Sequence, residues 1–244
     1  MTPRVPRPTS PEDALPDSIL LPSGPFPVTW RRSARARRLS LRLSRAGDSI
    51  IVTLPPRVPP QTGLSLLNAH HDWIVRQLQQ RPAAICFTSS SLIPVNGVPH
   101  TVRHTPEERG GVWIDADHTL HVSGDADFLA RRVRDFLQTL AYKHLGQRLL
   151  ELSGRTGLAP RTFAMRDAVS RWGSCSTAGR IMLNWRLIMA PSFVQDYVIL
   201  HELAHLKHHN HSAHFWALVD QMCLTRNEAE LWLKNHGPAL MRAA

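Results

Sequence analysis

The sequence is short of cysteines, of acidic residues and of long apolar runs. Its three cysteines, Cys86, Cys175 and Cys223, are odd in number and show no C-x-x-C spacing. That argues against a disulfide framework or a cysteine zinc cluster and makes a reducing cytoplasm the expected compartment. No run approaches eighteen apolar residues, so neither a transmembrane helix nor a membrane partner is expected. The opening Met-Thr-Pro-Arg-Val-Pro-Arg-Pro lacks the apolar stretch of a secretory signal. Asp and Glu together number 19 against 29 Lys and Arg, a net charge of +10 over 244 residues. Such a balance favours anionic partners: nucleic acid, nucleotides or acidic surfaces.

What is present divides into three parts. Residues 1–27 hold eight prolines and no apolar period, which reads as a disordered tail. Residues 28–124 read as a small, mostly antiparallel β subdomain with one helix. Leu39, Leu41 and Leu43 alternate with polar residues, Arg45 to Asp48 make a turn, and Ile50 to Leu54 return. Seven arginines lie between 31 and 45. A solvated face that blunts a sheet edge is the favoured reading, and a phosphate or nucleic-acid strip is its competitor. Pro59-Pro60 opens a helix from about 61 to 80, Asn96-Gly97 marks a hairpin, and short strands follow at 112–115 and 119–122.

Residues 125–244 read as the catalytic part. A long helix spans 125 to about 152, followed by a hairpin with strands at about 162–174 and 180–187. Pro191, Ser192 and Gln195 then form a helix start with a capping box. The helix they open carries His201-Glu202-Leu203-Ala204-His205, an H-E-x-x-H motif. Residues four apart share a helix face, so His201 and His205 can bind one metal ion with Glu202 close to its water. Two shorter helices, about 212–222 and 226–235, close the chain. The whole is an α+β arrangement.

Catalytic zinc takes three protein ligands and keeps an open water position. His208 lies about 10 Å along the helix axis from His201, at ~1.5 Å per residue, too far for one ion on a straight helix. His209 fares no better. Asn210 tolerates the left-handed turn that would bring His211 back, so His211 ranks first. His214, Glu228 and Glu230 are the remaining candidates.

With these residues in view, the chain resembles the YgjP-like metallopeptidase family, a zincin relative of WLM and SprT-like domains. The resemblance is carried by Arg171-Trp172-Gly173-Ser174-Cys175, Asn184-Trp185-Arg186-Leu187, Asp196-Tyr197-Val198, the H-E-x-x-H stretch, Asn210-His211-Ser212 and Phe215-Trp216. It covers about residues 28–235. It implies a zincin-like catalytic domain and one Zn2+ per chain, with the histidine of the N-H-S stretch, His211, as third ligand. It also implies zinc-dependent hydrolysis, of a peptide or, by another label the family carries, of UTP as a pyrophosphatase. SprT-like relatives add a third reading, a nucleic-acid-associated protease; nucleic acid is not the favoured partner. The expected chemistry is metal-activated water with Glu202 as general base and Arg171 contacting the oxyanion or a substrate phosphate. Trp172 and Trp185 are expected to pack in the core, Cys175 to be an inert thiol, and the edge near 180–187 to accept an extended peptide.

Overall fold

The computed structural model describes residues 15–44, 47–79 and 83–244, which fall into two compact units, 1–81 and 82–244. The first unit contains four strands, β1 (Ser18–Leu21), β2 (Gly24–Arg32), β3 (Ser40–Leu43) and β4 (Ile50–Leu54), then α1 (Pro60–Ala69) and α2 (His71–Gln79). Part of the expected tail, residues 1–14, lies outside the described residues; the remainder is not a tail, because β1 and β2 begin inside it. The sheet order is β1-β2-β4-β3, with β2 and β4 parallel and the other pairs antiparallel. Val28, Ile50 and Val52 point to one face and are buried with Leu67 of α1 and Ile74 of α2. Gly63 sits where α1 meets the sheet: a Cβ there would lie 2.8 Å from the Trp30 ring and 2.9 Å from Leu54. The single helix expected over 61–80 is two, broken at His70.

The second unit opens with β5 (Leu92–Val95), β6 (Val98–His104), β7 (Val112–Ile114) and β8 (Thr119–Val122), in the order β5-β6-β8-β7. Asn96 and Gly97 both take positive φ at the β5–β6 hairpin, the conformation an Asn-Gly turn supplies. The division between units therefore falls near residue 81 and not at 124. The reason is the core: Ile93, Val95, Val102, Leu120 and Val122 are buried with the later helices, not with the first sheet.

The long helix α3 (Leu129–Thr156) follows a 3-10 turn capped by Asp125. It passes through Gly154 and ends at Gly157, whose φ of 69° is the left-handed cap. Leu129, Val133, Leu137, Ala141, Leu145, Leu149 and Leu152 form its buried stripe. Three strands come next: β9 (Thr162–Arg166), β10 (Gly173–Cys175) and β11 (Arg180–Asn184), in the order β10-β11-β9. The expected strand over 162–174 is thus two strands on opposite sides of β11. A 3-10 turn over Trp185–Met189 leads into α4 (Ser192–Ala204), then α5 (Ala213–Met222) and α6 (Arg226–Leu240). Gly237-Pro238 does not close α6, which runs through both residues.

No capping box starts α4. Pro191 is the cap residue, and Gln195 is buried, donating from Nε2 to Asn96 Oδ1 at 3.0 Å and to the Ala190 carbonyl at 2.8 Å. Val194, Tyr197, Val198, Ile199, Leu200, Leu203 and Ala204 are all buried, so α4 is apolar nearly all round and lies at the centre of its unit. No helix among the described residues is long and apolar enough to cross a membrane.

Candidate metal centre

Burial of α4 sets the terms for its polar residues. His201, Glu202 and His205 stand at the C-terminal end of a helix packed on nearly every side, so each needs a partner or a ligand. The backbone N–H of His205 still reaches the His201 carbonyl, at 3.3 Å, so both imidazoles keep helical spacing and leave from one face. The chain then turns. Ser212 caps α5 by accepting from the Phe215 N–H, which fixes His211 immediately before the cap.

The result is convergence. One ring nitrogen from each of His201, His205 and His211 lies within 4.8 Å of the others. Nε2 of His201 and Nε2 of His211 are 3.2 Å apart. Two nitrogens bound at about 2.05 Å to a tetrahedral ion stand about 3.3 Å apart, so the spacing fits a zinc-sized cation. Phe215, fully buried, forms the floor, with its ring centroid 4.9, 4.4 and 4.9 Å from those of His201, His205 and His211. His205 Nδ1 lies 3.0 Å from the His208 carbonyl, so Nδ1 holds the proton and Nε2 keeps its lone pair. His201 Nδ1 is buried without a hydrogen-bond partner among the described residues.

Electrostatics agree with a ligand role for these rings. Burial, followed by the neighbouring His205 and His211, pushes His201 down to about 4. Burial also lowers His205, against a smaller opposing pull from the His208 carbonyl. Both rings are neutral at pH 7, the form that binds metal.

Glu202 is the fourth member. Its side chain is buried, and Oε2 has no hydrogen-bond partner among the described residues. Burial raises its carboxyl to about 7, with Arg171 pulling the other way. Space for it is made by β10: a Cβ on Gly173 would lie 2.5 Å from Oε1 and 2.6 Å from Cγ. The sequence motif contains this glycine, but only the approach of β10 to α4 gives it a role.

The other candidates fall away from the triad. His208 and His214 pair with each other, ring centroids 6.2 Å apart. His209 and Glu228 are exposed. Glu230 accepts from the Tyr197 hydroxyl at 2.8 Å and from Arg226 Nε at 3.0 Å. Arg171 is exposed, acts on the charge of Glu202 and makes no ion pair among the described residues. Cys175 is half-buried, and its thiol is raised by burial and by Glu202, as suits an unreactive thiol. Trp185 is buried and Trp172 packs against the core. The strand at 180–184 has no free edge, because β11 is paired on both sides. The free edge beside Glu202 belongs to β10.

Three imidazoles converging beside a buried carboxylate form a centre suited to metal-dependent hydrolysis. The family model described as "YgjP-like, metallopeptidase domain" matches residues 37–236. The chain belongs to that family of metallopeptidase-like, metal-dependent hydrolases. No curated protein and no solved structure matches it.

Proposed function

We propose that this chain is a zinc-dependent hydrolase, most simply a metallopeptidase with a zincin-like catalytic domain. The observation that carries the reading is the meeting of His201, His205 and His211 next to a buried, otherwise unpartnered Glu202. The three histidines would hold the ion. Bound there, zinc supplies a Lewis acid and lowers the pKa of a coordinated water toward 7. Glu202 accepts the proton of the attacking water at Oε2 and returns it to the leaving group. Its raised pKa places it near the pH at which both transfers run. Arg171 is exposed and close enough to act on the charge of this carboxylate, and in this reading it meets negative charge that develops on the substrate. The free edge of β10 offers backbone groups to an extended peptide, which favours the peptide reading.

A second reading, nucleoside triphosphate (UTP) pyrophosphatase, is favoured by one observation: Arg171 is exposed and in no ion pair among the described residues, which leaves its guanidinium able to take a phosphate. Turnover of a peptide library and of the nucleoside triphosphates, each with and without chelator, separates the two. Peptide cleavage abolished by chelator and restored by zinc supports the first. Chelator-insensitive turnover, or none of either substrate class by zinc-loaded protein, overturns both.

A further inference from the structure

Eight arginines lie between residues 31 and 57, and the single acid among them is Asp48. This segment of 27 residues thus holds +7 of the chain's net +10. The excess is therefore local, not an even surface charge. Arg31, Arg32, Arg35, Arg37, Arg38, Arg42 and Arg57 are all exposed. None of these seven makes an ion pair among the described residues. Arg32 alone is engaged by a hydrogen bond, donating to the Pro56 carbonyl. Asp48 accepts from the hydroxyls of Ser44 and Ser49.

The sheet gives these charges a common surface. Its inner face, with Phe26, Val28, Trp30, Leu41, Leu43, Ile50 and Val52, packs on α1 and α2. Alternation puts Thr29 and Arg31 of β2, Ser40 and Arg42 of β3, and Ile51 and Thr53 of β4 on the opposite face. Register aligns Arg31 with Thr53 and Thr53 with Ser40. Arg31 and Arg42 then stand about 12 Å apart, at ~4.8 Å per strand and ~3.3 Å per residue. The loop 33–39 joins β2 to β3 at that same end and carries Arg35, Arg37 and Arg38. Hydroxyls of Thr29, Ser40 and Thr53 lie among the guanidinium groups, as donors that commonly accompany arginine on phosphates. No aromatic residue stands on this face, so it has no platform on which to stack single-stranded bases.

We propose that the open sheet face and the loop 33–39 dock duplex DNA through its phosphate backbone, without reading sequence. Guanidinium groups left without carboxylate partners match closely spaced phosphates, and the exposed apolar residues of this face, Leu20, Pro25 and Pro27, lie on β1 and the start of β2, away from the arginine-bearing end. The inference does not depend on the metal centre.

The test is fluorescence anisotropy of the full chain with a labelled duplex of about 20 base pairs between 50 and 200 mM salt. The expected log–log slope is about −0.9 per phosphate contacted. Arg35→Ser/Arg37→Ser/Arg38→Ser should weaken binding more than tenfold and flatten that slope by about two to three. Arg31→Ser/Arg42→Ser tests the strands separately and should act in the same direction. The control Arg109→Ser/Arg131→Ser/Arg155→Ser removes the same charge from the second unit and should leave affinity within about twofold. Thermal denaturation checks that each variant is folded; these exposed arginines are not part of either core, so all three should be. Equal weakening by the loop triple and the control triple would show net charge acting without a site. No binding at 50 mM salt, or tighter binding of the single strand than of the duplex, would also overturn the proposal.

Discussion

Gly173 faces Glu202 so closely that a methyl group on its Cα would stand 2.5 Å from Oε1. The two residues belong to different elements, β10 and α4. Their approach seats the carboxylate in a wall of backbone, away from water. Gly173→Ala should therefore displace Glu202 and not merely crowd it. Overpacking of this kind costs about 1–3 kcal/mol. Activity should fall more than tenfold while zinc content stays near one per chain, since the three atoms nearest the added methyl all belong to Glu202. Metal analysis beside steady-state kinetics checks this, and unchanged kcat in Gly173→Ala would show that Glu202 has room to spare.

Glu202→Gln separates proton transfer from placement. The amide keeps the shape and cannot accept the proton, so turnover should fall about 10²–10⁴-fold with zinc retained. Stability of the metal-free protein supplies a second readout. The folded pKa of Glu202, about 7, lies above its ordinary value of 4.5. Between those values the folded state binds more protons than the unfolded state, so stability falls as pH rises and levels off above 7. Arg171 opposes the shift, and burial dominates it. In chelator, Glu202→Gln should accordingly be more stable than the parent at pH 8, by roughly 3 kcal/mol at ~1.36 kcal/mol per pKa unit, and nearly equal at pH 4.5. Thermal unfolding at both pH values measures the difference. A gap that is the same at both would assign it to packing.

The third ligand has its own test. His201→Ala and His211→Ala should both reduce bound zinc to well below one per chain, because two imidazoles do not hold catalytic zinc. Protein purified without chelator and assayed by atomic absorption gives the answer. Loss in His201→Ala but full retention in His211→Ala would remove His211 from the site.

The parts of this site legible in the sequence were those set by local spacing. H-E-x-x-H needs only a helix, and Asn96-Gly97 needs only a turn. His211 could be ranked because a straight helix excludes His208. The role of Gly173 was hidden because it depends on which strand lies beside α4. The pairing of β9 with β11 is parallel and crosses a loop, and no local pattern encodes that. Prolines concealed β1 and β2. Pairing of β2 with β4 begins at Val28, so Pro25 and Pro27 lie where β2 is bordered by β1 alone, and a missing N–H is tolerated there. Gln195 looked like a capping residue and is instead the buried partner of Asn96, 99 positions away.

Trp216 links the metal centre to a charged network on α5 and α6. Its ring lies against His211, centroids 5.5 Å apart and planes 29° from parallel. The Arg226 guanidinium sits 4.1 Å from the same ring. Arg226 is held by Asp220 at 2.8 Å and Glu230 at 3.0 Å, and Glu230 also accepts from Tyr197, whose ring stands edge-on to His201. His211 is exposed and comes from a loop, so it has the most freedom to lose on binding an ion. Trp216 restricts that freedom in advance. Trp216→Ala should lower zinc affinity about 10–100-fold, the usual effect of removing a group that orients a ligand. Trp216→Phe, which keeps a flat ring, should recover most of it, and Arg226→Ala should show a smaller loss. Competition against a zinc chelator reports these affinities without any substrate. If Trp216→Ala folds and binds zinc as tightly as the parent, the indole packs against His211 without positioning it.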